Sequence, residues 1–137
     1  MAVAVAITSI VAADPSGGKD STRTRQIVEG TLTLSGSYGG ASTHGDTVNF
    51  AGLVNSDYPP VWIEIREDVG AGNAPLGYNY TYNSGTTQAN GVLTITGTGA
   101  SSGQGGTEIT ENTAYSSFTP SLNGAVLRFR AAFAKNV

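Results

Sequence analysis

The 137-residue sequence predicts an all-β fold: a single antiparallel sandwich or barrel of about seven to eight strands, with long Gly/Ser-rich loops and little helix. Three observations predict it. Apolar and polar residues alternate in short runs with the period of a strand, and no stretch repeats with the period of a helix. Nests of Gly, Ser, Thr and Asn separate these runs roughly every 8 to 15 residues. Nineteen glycines supply the turns such a chain needs.

The first element lies in residues 1–13, where Val3, Val5 and Ile7 share one strand face and Ala2, Ala4 and Ala6 the other. No Lys or Arg precedes this apolar run, so it reads as a strand and not as a cleaved leader. The breaker cluster Asp14-Pro15-Ser16-Gly17-Gly18 ends it, and residues 19–24 are expected as a mobile loop. In residues 26–37, Val28, Leu32 and Leu34 oppose Ile27, Glu29, Thr31, Thr33 and Ser35, a strand with one dry and one wet face. Residues 36–45 turn the chain, and residues 46–50 return it as a short strand. A single helical turn is expected around residues 51–56. Pro59-Pro60 then precedes a strand in which Val61, Ile63 and Ile65 face the core, with Trp62, Glu64 and Arg66 opposite.

After a loop at residues 70–77, Tyr78, Tyr80 and Tyr82 line one face of the next strand. Residues 91–97 form another, with Val92 opposed to Leu93 and Ile95. Residues 97–106 are the least structured by composition, and a short strand is expected near residues 107–110. The last strand, residues 125–134, sets Leu127, Phe129 and Phe133 against Val126, Arg128 and Arg130. All of this fits one domain, 1–137, whose first 24 residues hold the N-terminal strand or arm and its loop.

The composition narrows function. There is no cysteine, hence no disulfide and no thiolate metal site. Charged residues make up 12% of the chain with a net charge of −3, which is poor material for holding phosphates, so no nucleic-acid partner is expected. No run approaches the roughly 20 apolar residues of a membrane-spanning helix. Low charge with abundant Ser, Thr and Gly suits a virion or extracellular protein, or one whose surface is covered by assembly.

Catalytic motifs are weak. Gly99-Ala100-Ser101-Ser102-Gly103 has the spacing of a nucleophile elbow, yet no helix signal follows and the sole histidine, His44, lies upstream. His44 itself reads as a solvated turn residue without a second ligand. The aspartates lack the spacing of a calcium loop, and the glycine clusters lack the Gly-Lys-Ser/Thr ending that holds phosphate. Glu64, Glu67 and Asp68, and Glu108 with Glu111, read as structural ion-pairing acids, Arg128 and Arg130 being cross-strand partners for the first group. An enzyme reading would be a glycosidase using Glu64 or Glu108. The expectation is a non-enzyme with no cofactor, no metal and no catalytic residue. Its possible interface residues are Trp62, Tyr78, Tyr80, Tyr82, Arg128 and Arg130, because Tyr, Trp and Arg anchor interfaces. The tyrosines and Trp62 fit a cross-strand aromatic cluster within the fold as well.

The alternating N-terminal strand, residues 25–38 (Arg-Gln-Ile-Val-Glu-Gly-Thr-Leu-Thr-Leu-Ser-Gly-Ser-Tyr), residues 45–50 (Gly-Asp-Thr-Val-Asn-Phe), the tyrosine-rich strand and residues 128–133 (Arg-Phe-Arg-Ala-Ala-Phe) are carried by most of the chain. In these it resembles the small all-β structural proteins of tailed bacteriophages. The resemblance implies a capsid decoration (cement) protein on the virion surface, bound to the major capsid protein and self-associated as a homotrimer. The same resemblance leaves room for a tail or fibre component. Trp62 with the tyrosines leaves room for a carbohydrate-binding module. In the decoration reading, the Ala/Val N-terminus either serves as an arm that adds a strand to a neighbour or forms the first strand of its own sheet.

Overall fold

Among the described residues, eight strands build two antiparallel sheets around one core. The structure is a computed structural model and describes residues 3–12, 25–39, 44–68, 76–98 and 105–135. The strands are β1 (Val3–Ala12), β2 (Arg25–Leu34), β3 (Asp46–Val48), β4 (Trp62–Glu67), β5 (Asn79–Asn83), β6 (Gly91–Thr98), β7 (Gly105–Glu108) and β8 (Val126–Ala134). The first sheet runs β1-β2-β8-β4. In the second, β6 pairs with β5 along one edge. Its other edge is shared: β3 covers Gly91 to Leu93, and β7 meets Thr96 and Thr98. The fold is therefore all-β, as the alternation predicts. The breaker cluster 14–18, the loop 19–24 and the Gly-x-Ser-x-Gly segment 99–103 lie outside the described residues.

Strand faces follow the sequence closely where alternation is strict. On β2, Val28, Leu32 and Leu34 are buried while Glu29 is exposed. On β8, Leu127, Phe129, Ala131 and Phe133 are buried between the exposed Arg128 and Arg130. These residues join Val48, Phe50, Leu93 and Ile95 from the second sheet side in one hydrophobic cluster. Phe50, just after β3, connects the two sheets. Its ring centroid lies 5.4 Å from Phe129 and 5.2 Å from Phe133 on β8, and 6.3 Å from Tyr82 on β5. Replacing Phe50 with alanine is expected to cost about 3–5 kcal/mol, because transfer and cavity losses add at a fully buried ring. Thermal unfolding would register this as a drop of roughly 10 °C or more.

The N-terminal strand pairs with β2 from Val3 opposite Leu34 to Ala12 opposite Gln26, so it is used within its own sheet. A register shift between Ile7 and Ser9 bends it there, opposite Glu29 and Gly30. A Cβ on Gly30 would collide with the Ala6 carbonyl oxygen and the Phe129 ring, so the close approach of β1 to β2 requires glycine.

Three expectations change. Residues 51–56 form turns, not a helical turn. The Asn49 side chain accepts from the Ala51 N–H (2.8 Å), Leu53 N–H bonds back to Phe50 (3.0 Å), and Gly52 takes a φ of 79°. The one 3-10 turn found among the described residues lies at Tyr115–Ser117. Val61 is 50% exposed. It precedes β4, so the alternation that turns Ile63 and Ile65 towards the core does not reach it.

The tyrosine strand is the third. Tyr78 is buried, and Tyr80 and Tyr82 pack against the core, so the face they share is the inner one. They belong to the aromatic cluster of the fold and not to its surface, which removes them from the expected interface. Glu67 at the end of β4 explains their orientation. Its carboxylate accepts from Tyr80 Oη (3.0 Å) and from the N–H groups of Leu76 (2.8 Å) and Tyr78 (3.2 Å), fastening β5 to the first sheet. Tyr78 Oη donates to the Pro120 carbonyl (2.8 Å).

Candidate functional site

Four strands of the first sheet put their polar side chains on one outer face, and pairing register arranges them in rows. Ile27, Ala132 and Trp62 stand opposite one another across β2, β8 and β4. The next row is Glu29, Arg130 and Glu64, and the one after it Thr31, Arg128 and Arg66. Residues opposite each other in a ladder share a face and interact directly. Of the seven Lys and Arg in the chain, Arg66, Arg128 and Arg130 gather here.

Each arginine has a carboxylate. Arg130 Nε lies 3.2 Å from Glu29, Arg128 3.3 Å from Asp68, and Arg66 3.3 Å from Glu64 on its own strand. Of the acids expected to pair with the last strand, only Asp68 does so, with Arg128; Arg130 takes Glu29 instead, Glu64 pairs within its own strand, and Glu67 accepts from Leu76, Tyr78 and Tyr80. The Arg130 guanidinium also sits over the Trp62 ring, 5.9 Å from its centroid. Trp62 is 38% exposed, a large apolar surface in a charged setting.

The arrangement contributes little to stability. Exposed ion pairs are worth about 0–1 kcal/mol each, and an exposed cation–π contact about 0.5–1 kcal/mol. Arg66 and Arg128 even stand directly opposite each other, a like-charge pair that disfavours the sheet. Their side chains remain 74% and 66% exposed. What this geometry offers instead is a rigid array of guanidinium donors beside an aromatic ring. Arg66, Arg128 and Arg130 line a groove of about 370 Å³ together with Glu29 and Glu64. Guanidinium groups hold carboxylates through forked hydrogen bonds, and here those carboxylates are Glu29, Glu64 and Asp68 of the chain itself.

A second constellation was not legible in the sequence. His44 Nδ1 lies 2.8 Å from Glu111 Oε1 and 3.7 Å from Glu108 Oε2, so the histidine does not stand alone in its turn. The tertiary fold overturns that expectation by setting β3 and β7 on the same edge of β6. Behind the trio, Tyr38 Oη donates to Glu108 Oε1 (2.8 Å) and accepts from the Ile95 N–H (3.2 Å). Buried Asp46 accepts a hydrogen bond from the Tyr115 hydroxyl, and burial holds its carboxyl above the usual range. Of the two acids named for a glycosidase, Glu64 lies in the first sheet and Glu108 in the second.

No protein-family model matches the chain, and neither a curated protein nor a solved structure is significantly similar to it.

Proposed function

We propose that this chain is a non-enzymatic structural protein of a tailed bacteriophage: a decoration protein that lays the outer face of its β1-β2-β8-β4 sheet on the major capsid protein lattice. One observation carries the reading. Trp62, Arg66, Arg128 and Arg130 are held in register on a stiff sheet, where they add little to folding and much to recognition. Binding sites repeated over a shell favour a rigid scaffold with its contact residues already placed, since little ordering entropy is then lost on docking. The whole-chain resemblance to small all-β phage proteins supplies the partner and the site of action, the virion surface. Self-association as a homotrimer belongs to the same proposal.

The exposed indole also bears on the carbohydrate-binding alternative. Arg130 already covers a face of Trp62, the surface a sugar ring would stack upon, which favours a protein partner. Mass spectrometry of purified virions of the encoding phage tests the assignment. Hundreds of copies per particle are expected. Absence from virions would refute it, and a few copies would replace it with a tail or fibre role.

A further inference from the structure

We infer that His44, Glu108 and Glu111 form a binding site for a divalent transition cation of the zinc class. This goes beyond the proposed role in decoration and does not depend on it. One ligand atom from each of the three residues lies within 4.8 Å of the others, and His44 Nδ1 stands 2.8 Å from Glu111 Oε1 and 3.7 Å from Glu108 Oε2. Ligands about 2.0–2.2 Å from zinc stand roughly 3.3–3.5 Å apart at the corners of a tetrahedron. The two distances from the imidazole, 2.8 and 3.7 Å, bracket that spacing, so side-chain rotations of a few tenths of an ångström complete the geometry.

The backbone presents these donors from separate segments that are stitched together. His44 takes a left-handed φ of 53°, and its carbonyl accepts from Thr94 Oγ1 (2.8 Å) on β6. Glu108 closes β7, and Glu111 sits in the turn that follows. Asn112, with a φ of 57°, donates its N–H to the carbonyls of Tyr38 (3.0 Å) and Gly39 (3.1 Å), and Tyr38 N–H bonds to Thr113 O (2.9 Å). The segment leading towards His44 is thereby tied to the segment carrying Glu111.

Orientation of the ligands is the second, independent observation. Tyr38 is buried, and its hydroxyl occupies Glu108 Oε1, which leaves Oε2 turned to the histidine. A hydrogen bond to the outer oxygen of a ligating carboxylate is the usual device for fixing a metal ligand. One imidazole and two carboxylates suit zinc, manganese or iron over calcium and magnesium, whose sites are built of oxygens alone. The His44 side chain is 71% exposed, so the remaining coordination position opens to solvent and takes water or a donor from another molecule.

His44 is the sole histidine, so the test is specific. The chelator-stripped, full-length protein is titrated with zinc chloride, and separately with calcium chloride, by calorimetry and by NMR of the ring nitrogens. Zinc is expected to bind one per chain, to move the Nδ1 resonance far more than the Nε2 resonance, and to raise Tm by roughly 5–10 °C at a hundredfold excess over Kd. Glu111→Gln and Glu108→Gln are each expected to weaken zinc binding at least 10-fold while leaving the metal-free Tm within a few degrees of the parent. Unchanged ring resonances and Tm at millimolar zinc would overturn the inference. So would parental zinc affinity in both variants, which would mean His44 binds by itself, or a preference for calcium.

Discussion

Raising the pH through about 11 to 12 is expected to unfold the protein in one abrupt step, because five of its six tyrosines are held protonated by the fold. Burial is the leading cause at each. It pushes Tyr82 up to about 12 and raises Tyr38, Tyr78, Tyr80 and Tyr115 as well. Neighbouring carboxylates add to it: Glu108 at Tyr38, Glu67 at Tyr78 and Tyr80, and Asp46 at Tyr115. The sign follows from linkage. Below about pH 10 these phenols are neutral in both states, and the full stability is present. Above it the unfolded chain ionises while the folded one does not, and each tyrosine removes about 1.4 kcal/mol per pH unit. Five together remove at most about 7 kcal/mol per unit, against a total stability on the order of 5–15 kcal/mol. Phenolate absorbance and far-UV circular dichroism should therefore change together. Smooth tyrosine titration near pH 10 with the sheet signal intact would show that the tyrosine strand does not face inward.

Under the proposed decoration role, the double substitution Trp62→Ala with Arg130→Glu is expected to abolish capsid binding while sparing the fold. Its cost to stability is modest, about 1–3 kcal/mol, since it removes one exposed cation–π contact and one exposed ion pair with Glu29 and sets a glutamate directly opposite Glu29 and Glu64. Its cost to binding is large if these residues anchor the docked face. Buried Trp and Arg anchors are typically worth 2 kcal/mol or more each, so affinity should fall several-hundred-fold, on the order of 1,000-fold, for the pair. Binding to undecorated shells, measured beside the thermal melt of each protein, separates the two effects. Equal loss of both would mean that the face is structural.

How much of this could be read from the sequence depends on what each feature rests on. Strict alternation is local, so the faces of β2, β6 and β8 are legible, and so is the grouping of Trp62, Glu64 and Arg66 on one side of β4. The same alternation puts three tyrosines on one face of β5 but does not say which face is inside. Asn79 and Thr81 are as fit for the surface as the phenols are, and Glu67 and Pro120, from elsewhere in the chain, decide by accepting the hydroxyls. His44 and Glu108 are farther apart still. Nothing local links a histidine after a glycine-rich turn to two glutamates near the other end of the chain. They meet because β3 and β7 both use one edge of β6, a topological fact with no periodic signature. An acid pair three residues apart was the available hint, and spacing alone could not supply its partner. At residues 51–56 the reason is local: Asn49 and Gly52 favour a bent backbone over a helical one.

For the proposed role, in which a charged sheet face fits a repeating capsid surface, co-sedimentation of the purified chain with undecorated phage shells is the deciding measurement. The predicted result is saturable binding at regular lattice positions, by an assembly of three 13.9 kDa chains, weakened by added salt and lost in the Trp62→Ala, Arg130→Glu protein. Failure of the folded parent chain to bind such shells, or undiminished binding by that variant, would contradict it.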